Sequence, residues 1–549
     1  MADVIHAGNR RPASPGRSLF DYADELAAVV PASCRRTGRC HECVVEIRRG
    51  ESMLSAQTEA ESFLRHGYRL ACQAVVRGDD EDIEFTVLRR RLRILLGTGG
   101  GIEPTDPAVQ VRHGVVHHGD EPLEPVRDHV LGLAMDLGTT TIVLELVDLR
   151  SGGTLAVSAF ENPQRFGGSD VMTRISYDAA IPGELRQAVR KALNHELRRL
   201  YSELGLDRRE VYELVVVGNT TMRDLFFGLD VQPIGRRPFR STTETAVREG
   251  RATTTTLTRQ AHELGVLLHP RGRVWGGPIV ACHVGADVAA DLVAVGLVDG
   301  QGAPGITVLI DIGTNTEIVV GDGQRYVAAS SPAGPAFEGG LISHGMPGAV
   351  GAIESIRPDG AGFGWRTIGD ATPEGICGSG LIDLLAVLRQ TDRMSPNGAF
   401  AGGSRTLTVV ADPEITFSRA DASQLAQAKA SNAVAQELLL REAGIVPAQV
   451  DRVVLAGAFA NSIDPAHAIE IGFLAPFPVE RIHRAGNASI RGAAALLLSS
   501  SRRARLERFV QEIHHVELEA EPDFFDLFVD GCRFLPLSGS TGHATAGRT

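Results

Sequence analysis

A chain of 549 residues exceeds what one hydrophobic core supports, so two to four domains are expected. A net charge of −12 argues against general nucleic-acid binding, which needs a basic face. At 43% hydrophobic and 22% charged the composition is that of a globular protein, with no apolar run long enough to span a bilayer.

The first seventeen residues carry Arg10, Arg11 and Arg17 but no apolar stretch, so no secretory signal is read and a cytoplasmic setting is expected. Residues 1–90 read as one small domain. Within it, residues 44–48 alternate as a strand does, residues 58–66 have helical spacing, and residues 68–76 return to a strand pattern. An acidic run (Asp79, Asp80, Glu81, Asp82, Glu84) and a basic one (Arg89, Arg90, Arg91, Arg93) read as solvated faces of a domain edge, with a docking patch as the sharper alternative. Gly97 to Gly101, with Pro104 and Pro107, mark a linker, so residues 91–130 are expected to connect rather than to form a core. Residues 131–537 form the large domain, and the Ser-, Thr-, Gly- and Ala-rich stretch 538–549 reads as a disordered tail.

Four of the seven cysteines, Cys34, Cys40, Cys43 and Cys72, fall in the small domain, and such a cluster reads as a metal site before it reads as disulfides. The spacing is C-x5-C-x2-C, then 28 residues, then Cys72. Plant-type 2Fe–2S ferredoxins use C-x4-C-x2-C with a distant fourth Cys, so this loop is longer by one residue. Three thiolates on one loop wrap a cluster while backbone amides point at its sulfides, and Gly38 lets the backbone turn there. Four thiolates also suit tetrahedral zinc, the nearest rival, although zinc ribbons favour paired C-x2-C knuckles and Cys72 stands alone. His41 reads as a solvated loop residue, and Cys282, Cys377 and Cys532 as small buried side chains.

The large domain contains a repeat. Leu133-Ala-Met-Asp136-Leu-Gly138-Thr139-Thr140-Thr141 recurs as Val308-Leu-Ile-Asp311-Ile-Gly313-Thr314-Asn315-Thr316, each an apolar strand, an Asp-x-Gly-Thr turn and the start of a second strand. A second echo pairs Leu214-Val-Val-Val-Gly218 with Val453-Val-Leu-Ala-Gly457. Two α/β lobes, starting near 131 and 305, are therefore expected to face a cleft. Glycine turns present N–H groups to phosphate oxygens, and each Asp can hold magnesium directly or through water. Gly378-Ser379-Gly380 precedes an apolar helix over 381–388, where small residues would let a helix N-terminus approach an adenosine or phosphate; close helix packing is the plainer reading. Residues 455–460 and 334–340 are weaker glycine turns. No G-x-x-x-x-G-K-[ST] loop occurs.

The order of the cysteine domain, Asp136-x-Gly-Thr-Thr, Asn162-Pro163-Gln164, Gly218-Asn219-Thr220-Thr221-Met222, Asp311-x-Gly-Thr-Asn and Ile376-Cys-Gly-Ser-Gly-Leu-Ile-Asp383 resembles the reductive activators of corrinoid proteins. These belong to the acetate and sugar kinase, heat-shock chaperone and actin superfamily. The resemblance implies a β-grasp ferredoxin domain followed by a two-lobed, actin-like (RNase H-like) ATPase domain. It implies that ATP with magnesium drives reduction of a partner's Co(II) corrinoid to Co(I) through a 2Fe–2S cluster. On this resemblance Cys34, Cys40, Cys43 and Cys72 would ligate iron, and Asp136, Gly138, Thr139 and Thr140 would form the first phosphate turn. Asp311, Gly313, Thr314 and Asn315 would form the second, with Gly378, Ser379, Gly380 and Gly457 nearer the nucleoside. The partners implied are the corrinoid protein of a methyltransferase system and an external electron-donor protein, with no nucleic acid or membrane; a homodimer is left open. Two features depart from the pattern: Arg35, Arg36 and Arg39 stand in the cluster loop where members are richer in Gly, and the stretch before Asp136 is short, as if a middle domain were reduced.

Other readings share the same parts. One is an ATP-dependent electron donor to another metalloenzyme, such as a radical dehydratase; another is a small-molecule kinase with a redox-sensing domain; a third is a non-enzymatic assembly factor. With no G-x-G-x-x-G fingerprint, electrons are expected from another protein rather than from bound NADH.

Overall fold

The structure, a computed structural model, describes residues 2–88, 102, 104–300, 305–360, 362–457 and 460–537. The basic run, the Gly97–Gly101 stretch, Ala458, Phe459 and the tail lie outside the described residues.

The N-terminal domain is a five-stranded sheet in the order Asn9–Pro12, Asp3–His6, Ile83–Val87, Val44–Arg49, Tyr68–Leu70, with one helix, Leu19–Glu25. Ser18 starts that helix through a capping box with Asp21, and Leu19, Phe20, Tyr22 and Ala23 share a core with Val4, Val45 and Phe85. The helical spacing over 58–66 gives only one 3-10 turn, Glu59–Glu61. Glu61 turns inward instead, closing a buried ion pair with Arg69 (Nε–Oε1 2.9 Å) and accepting from the Leu70 amide at 2.9 Å. The strand expected over 68–76 ends at Leu70, because the chain turns to bring Cys72 to Cys43.

Two six-stranded sheets follow. The first runs Thr154–Glu161, Thr141–Asp148, Leu131–Leu137, Val211–Val217, Arg273–Gly276, Leu257–Gln260. The second runs Tyr326–Ser331, Thr316–Gly321, Thr307–Ile312, Arg452–Ala456, Ile482–Gly486, with Ile513–His515 added beside Tyr326–Ser331. In each, the first three strands are antiparallel and the next two run parallel to the third. The central strand Val211–Val217 is buried at every position, as a parallel strand covered on both faces must be.

The sequence echoes occupy equivalent places in these sheets. Gly218 has φ +153°, and a Cβ there would lie 2.6 Å from the Leu137 carbonyl oxygen; Gly457 has φ +108°, and its Cβ would lie 2.1 Å from the Ile312 oxygen. Each glycine thus lets one strand end press against the carbonyl just before an Asp-x-Gly-Thr glycine.

The segment read as a linker carries its own three-stranded sheet, Val109–Arg112, Val115–His118 and Glu121–Pro125. It rests on the first lobe: Tyr212 Oη donates to Glu124 at 3.1 Å, and Arg271 donates to the Pro122 carbonyl at 3.1 Å. Turn-rich composition hid strands of four or five residues. Helix Ser500–Glu512 then returns from the second sheet to the first, where Arg503 meets Glu213 in a bidentate pair at 2.8 and 2.9 Å. Among the described residues no helix is long and apolar enough to cross a membrane.

Candidate functional site

The two Asp-x-Gly-Thr turns meet where the lobes face each other. Thr140 Oγ1 donates to Glu338 Oε2 at 2.8 Å, Thr314 Oγ1 donates to the same oxygen at 2.7 Å, and the two hydroxyls lie 3.4 Å apart. Asp136 and Asp311 stand half-buried near the ends of the equivalent strands Leu131–Leu137 and Thr307–Ile312, one in each sheet. Helix Ala286–Ala294 places Asp287 and Asp291 among them, and strand Thr316–Gly321 adds Glu317.

These carboxylates are too many for the volume they share. Burial pushes Asp136 up to about 7, and burial with the charges of Asp287 and Asp136 pushes Asp311 to about 7. Burial lifts Asp287 to about 6, while Asp291 and Glu317 are raised by burial and then by their acidic neighbours. Glu338 is raised by burial against the two threonine hydroxyls. Asp291 Oδ2 is buried with no hydrogen-bond partner. Surplus buried negative charge with an orphaned oxygen fits a divalent cation, and magnesium takes one or two carboxylates with phosphates and water rather than an all-protein cage.

Side chains to which the sequence assigned no role hold this centre in place. Asn487 caps helix Ala488–Leu497 and donates to Asp136 Oδ2 at 2.9 Å. Asn219 caps helix Thr220–Phe227 and donates to Thr139 Oγ1 at 2.9 Å. Arg174, wholly buried and lowered by burial to about 9, donates to the Thr139 carbonyl at 2.7 Å. Asp287 and Asp291 had a readable signal: two acids four residues apart on an otherwise apolar helix. Gly313 and Asn315 complete the second turn, with the Gly313 amide on the Asn315 carbonyl at 3.0 Å. Gly378, Ser379 and Gly380 do open a helix, Gly378–Gln390, where Ser379 donates to the Glu354 carbonyl at 2.8 Å and a Cβ on Gly380 would lie 2.3 Å from the Ile353 oxygen, so close packing holds these two.

The four N-terminal cysteines stand as two pairs, Cys43 with Cys72 and Cys34 with Cys40. Cys43 Sγ lies 3.4 Å from Cys72 Sγ. The hydrogen bond from Cys43 draws Cys72 down to about 6, and the same bond, with burial, pushes Cys43 up. Cys34 is held near 6 against burial by Thr37 and Cys40. Among the described residues no three His, Cys, Asp or Glu side chains gather as tetrahedral zinc would need, and the cysteines pair in twos, as a dinuclear cluster with two thiolates on each iron would use them. The loop holds Arg35, Arg36 and His41 at φ 54°, 64° and 54°, so non-glycine residues adopt the left-handed turns that glycine usually supplies.

His41 is not a solvated loop residue. Its ring stacks on Phe63 (4.1 Å) and its Nδ1 lies 3.3 Å from Glu184 Oε2 on helix Glu184–Leu204 of the first lobe. Phe63 meets Phe166 edge-on at 5.7 Å, and Arg165 bonds Glu46 at 3.3 Å, so the cysteine domain is packed onto that lobe.

A ferredoxin-type, 2Fe–2S-binding domain on a two-lobed actin-like ATPase fold defines the class. Residues 5–77 match the 2Fe–2S iron–sulfur cluster binding domain, 131–299 the RACo middle region, and 305–541 the C-terminal domain of RACo, the ASKHA domain. The chain belongs to this family, the reductive activators of corrinoid proteins. It is similar to the reductive activator for corrinoid, iron–sulfur protein, a solved structure 26% identical, with TM-score 0.71 over 97% of this chain and 98% of that one. It is 29% identical over 432 residues to the corrinoid activation enzyme RamQ of Eubacterium limosum, covering 74% of this chain and 70% of that protein. It is 25% identical over 407 residues to the [Co(II) methylated amine-specific corrinoid protein] reductase of Methanosarcina barkeri, covering 68% and 70%.

Proposed function

We propose that this protein uses Mg-ATP to reduce the Co(II) corrinoid of a methyltransferase-system protein to Co(I). The observation that carries the reading is the meeting of two Asp-x-Gly-Thr turns on Glu338 in the same chain as a four-cysteine domain, its Cys43 and Cys72 sulfurs 3.4 Å apart, docked on the first lobe. Cys34, Cys40, Cys43 and Cys72 would hold the 2Fe–2S cluster, which when bound supplies a one-electron path. The amides of residues 138–140, 314 and 315 would face phosphate oxygens, with Gly313 shaping the second turn, and Asp136 and Asp311 would hold magnesium directly or through water. On the family pattern Gly378, Ser379, Gly380 and Gly457 would lie nearer the nucleoside. Centres of this type lie near roughly −400 mV, and each ~59 mV of uphill gap costs a factor of ten for one electron. Differential binding of nucleotide to the two states of the complex offsets that gap.

The test mixes the anaerobic, cluster-loaded protein with a reductant and a corrinoid protein encoded beside it. Co(I) absorbance is expected to accumulate only with Mg-ATP, and the partner to stimulate ATP hydrolysis. Cys72→Ala should keep the stimulated hydrolysis and make no Co(I), whereas Asp311→Asn should lose both. Equal Co(I) with and without ATP would overturn the reading.

A further inference from the structure

The carbonyls of three consecutive residues in the first turn are gripped by one buried network. Asn162 Nδ2 donates to the Gly138 oxygen at 2.8 Å, Arg174 Nη2 to the Thr139 oxygen at 2.7 Å, and the Asn162 amide to the Thr140 oxygen at 2.7 Å. Gln164 Oε1 then accepts from both Asn162 and Arg174, each at 3.2 Å. Its other end, Nε2, donates to the Leu185 carbonyl at 3.2 Å, in the first turn of helix Glu184–Leu204. Asn162, Gln164 and Arg174 are all fully buried.

The same helix grips the cysteine loop. Glu184 meets His41 at 3.3 Å, and Lys191 donates to the Cys40 carbonyl. A peptide unit is planar, so a phosphate that draws on the N–H groups of this turn also turns the carbonyls on their far sides. Those carbonyls end on Asn162 and Arg174, and hydrogen bonds in series polarise and move one another.

We propose that Asn162, Gln164 and Arg174 are positioning residues that couple nucleotide occupancy of the first turn to the cysteine loop, through helix Glu184–Leu204. The inference rests on the nucleotide and cluster assignments above and adds to them a reciprocal linkage between the two sites. Nucleotide changes the cluster's potential, and reduction of the cluster changes nucleotide affinity by the matching factor. A tenfold change in affinity between oxidised and reduced protein corresponds to ~59 mV in potential.

The experiment uses the full chain loaded with its cluster, without any corrinoid partner. The midpoint potential and electron-resonance g values are recorded with and without magnesium and a non-hydrolysable ATP analogue, and the analogue's Kd is measured by calorimetry in both redox states. Wild type is expected to shift in potential, and its two Kd values to differ by the factor that shift predicts. The variant pair Lys191→Met with Glu184→Gln lies at the far end of the relay, outside the nucleotide turn and the cysteines. It should bind the analogue as tightly as wild type in the oxidised state and show a normal cluster spectrum, yet lose at least half of the shift. Bound analogue with no shift in wild type, or a full shift in the double variant, would overturn the relay while leaving the site assignments intact. No binding by calorimetry, or no cluster spectrum, would instead sink those assignments and the relay with them.

Discussion

Asp311 illustrates how function and stability oppose each other at a single residue. Its carboxylate is raised to about 7 by burial and by Asp287 and Asp136, so at neutral pH the apo site carries repulsion that a cation relieves. Asp311→Asn removes one of those charges at constant volume. The apo variant is expected to melt above the apo wild type by scanning calorimetry, while its ATP hydrolysis falls at least tenfold, equivalent to ~1.4 kcal/mol. A lower apo melting temperature would show that the acids are not in mutual strain. Asp136 and Asp311 were legible because a repeated apolar strand ending in Asp-x-Gly-Thr is a local pattern. Asn487 and Glu338 were not legible as partners, because 351 residues separate Asn487 from Asp136 and 198 separate Glu338 from Thr140. Only the packing of the two lobes brings them together.

At the scale of one element, the cysteine loop shows what its arginines do. Arg36 bonds Asp24 at 2.6 Å and Asp21 at 3.3 Å and lies 4.0 Å over the Phe20 ring, so its charge is largely met. Arg35 is exposed and, among the described residues, has no such carboxylate. Both sit at positive φ, which costs a non-glycine residue roughly 1–2 kcal/mol. Arg35→Gly is therefore expected to lower the cluster's midpoint potential, by removing an unmet positive charge, and to change stability by less than about 1 kcal/mol. Arg36→Gly should move the potential less and stability more, through the lost cation–π and carboxylate contacts. Redox titration and denaturant melts of the two variants decide this, and the reverse order of potential shifts would refute it. The cysteine spacing announced the loop, but its backbone conformation was not readable, since nothing in an Arg-Arg pair signals left-handed dihedrals.

For the whole molecule, the buried pair Glu213–Arg503 ties the first sheet to helix Ser500–Glu512, and His118 of the small sheet approaches the same carboxylate at 3.3 Å. Burial alone would raise Glu213; Arg503's charge and hydrogen bonds, with those of His118, hold it near 2 instead of 4.5. A depressed carboxylate contributes stability that is present above pH 4.5 and lost as pH falls through 2. Glu213→Gln leaves Arg503 buried and uncompensated, at a cost of about 3–5 kcal/mol at neutral pH. Its acid unfolding curve should also lack the steep loss that wild type shows between pH 4.5 and pH 2. Parallel curves for the two proteins would rule out this role for Glu213. The duplicated lobes were legible from the repeat, but this clamp was not, because a lone Glu within Val-Tyr-Glu-Leu-Val-Val-Val names no partner.

The return of helix Ser500–Glu512 to the first sheet also fixes an order of events at the ribosome. Strand Val211–Val217 is translated long before Arg503, so the growing chain holds a charged Glu213 inside an otherwise apolar strand until nearly 300 further residues have emerged. The cysteine domain has no such wait, since all five of its strands lie before residue 88. Cluster insertion can therefore run ahead of the nucleotide fold during synthesis, whereas a chain stalled before its last helices leaves the first lobe unsealed and exposed to chaperones and proteases.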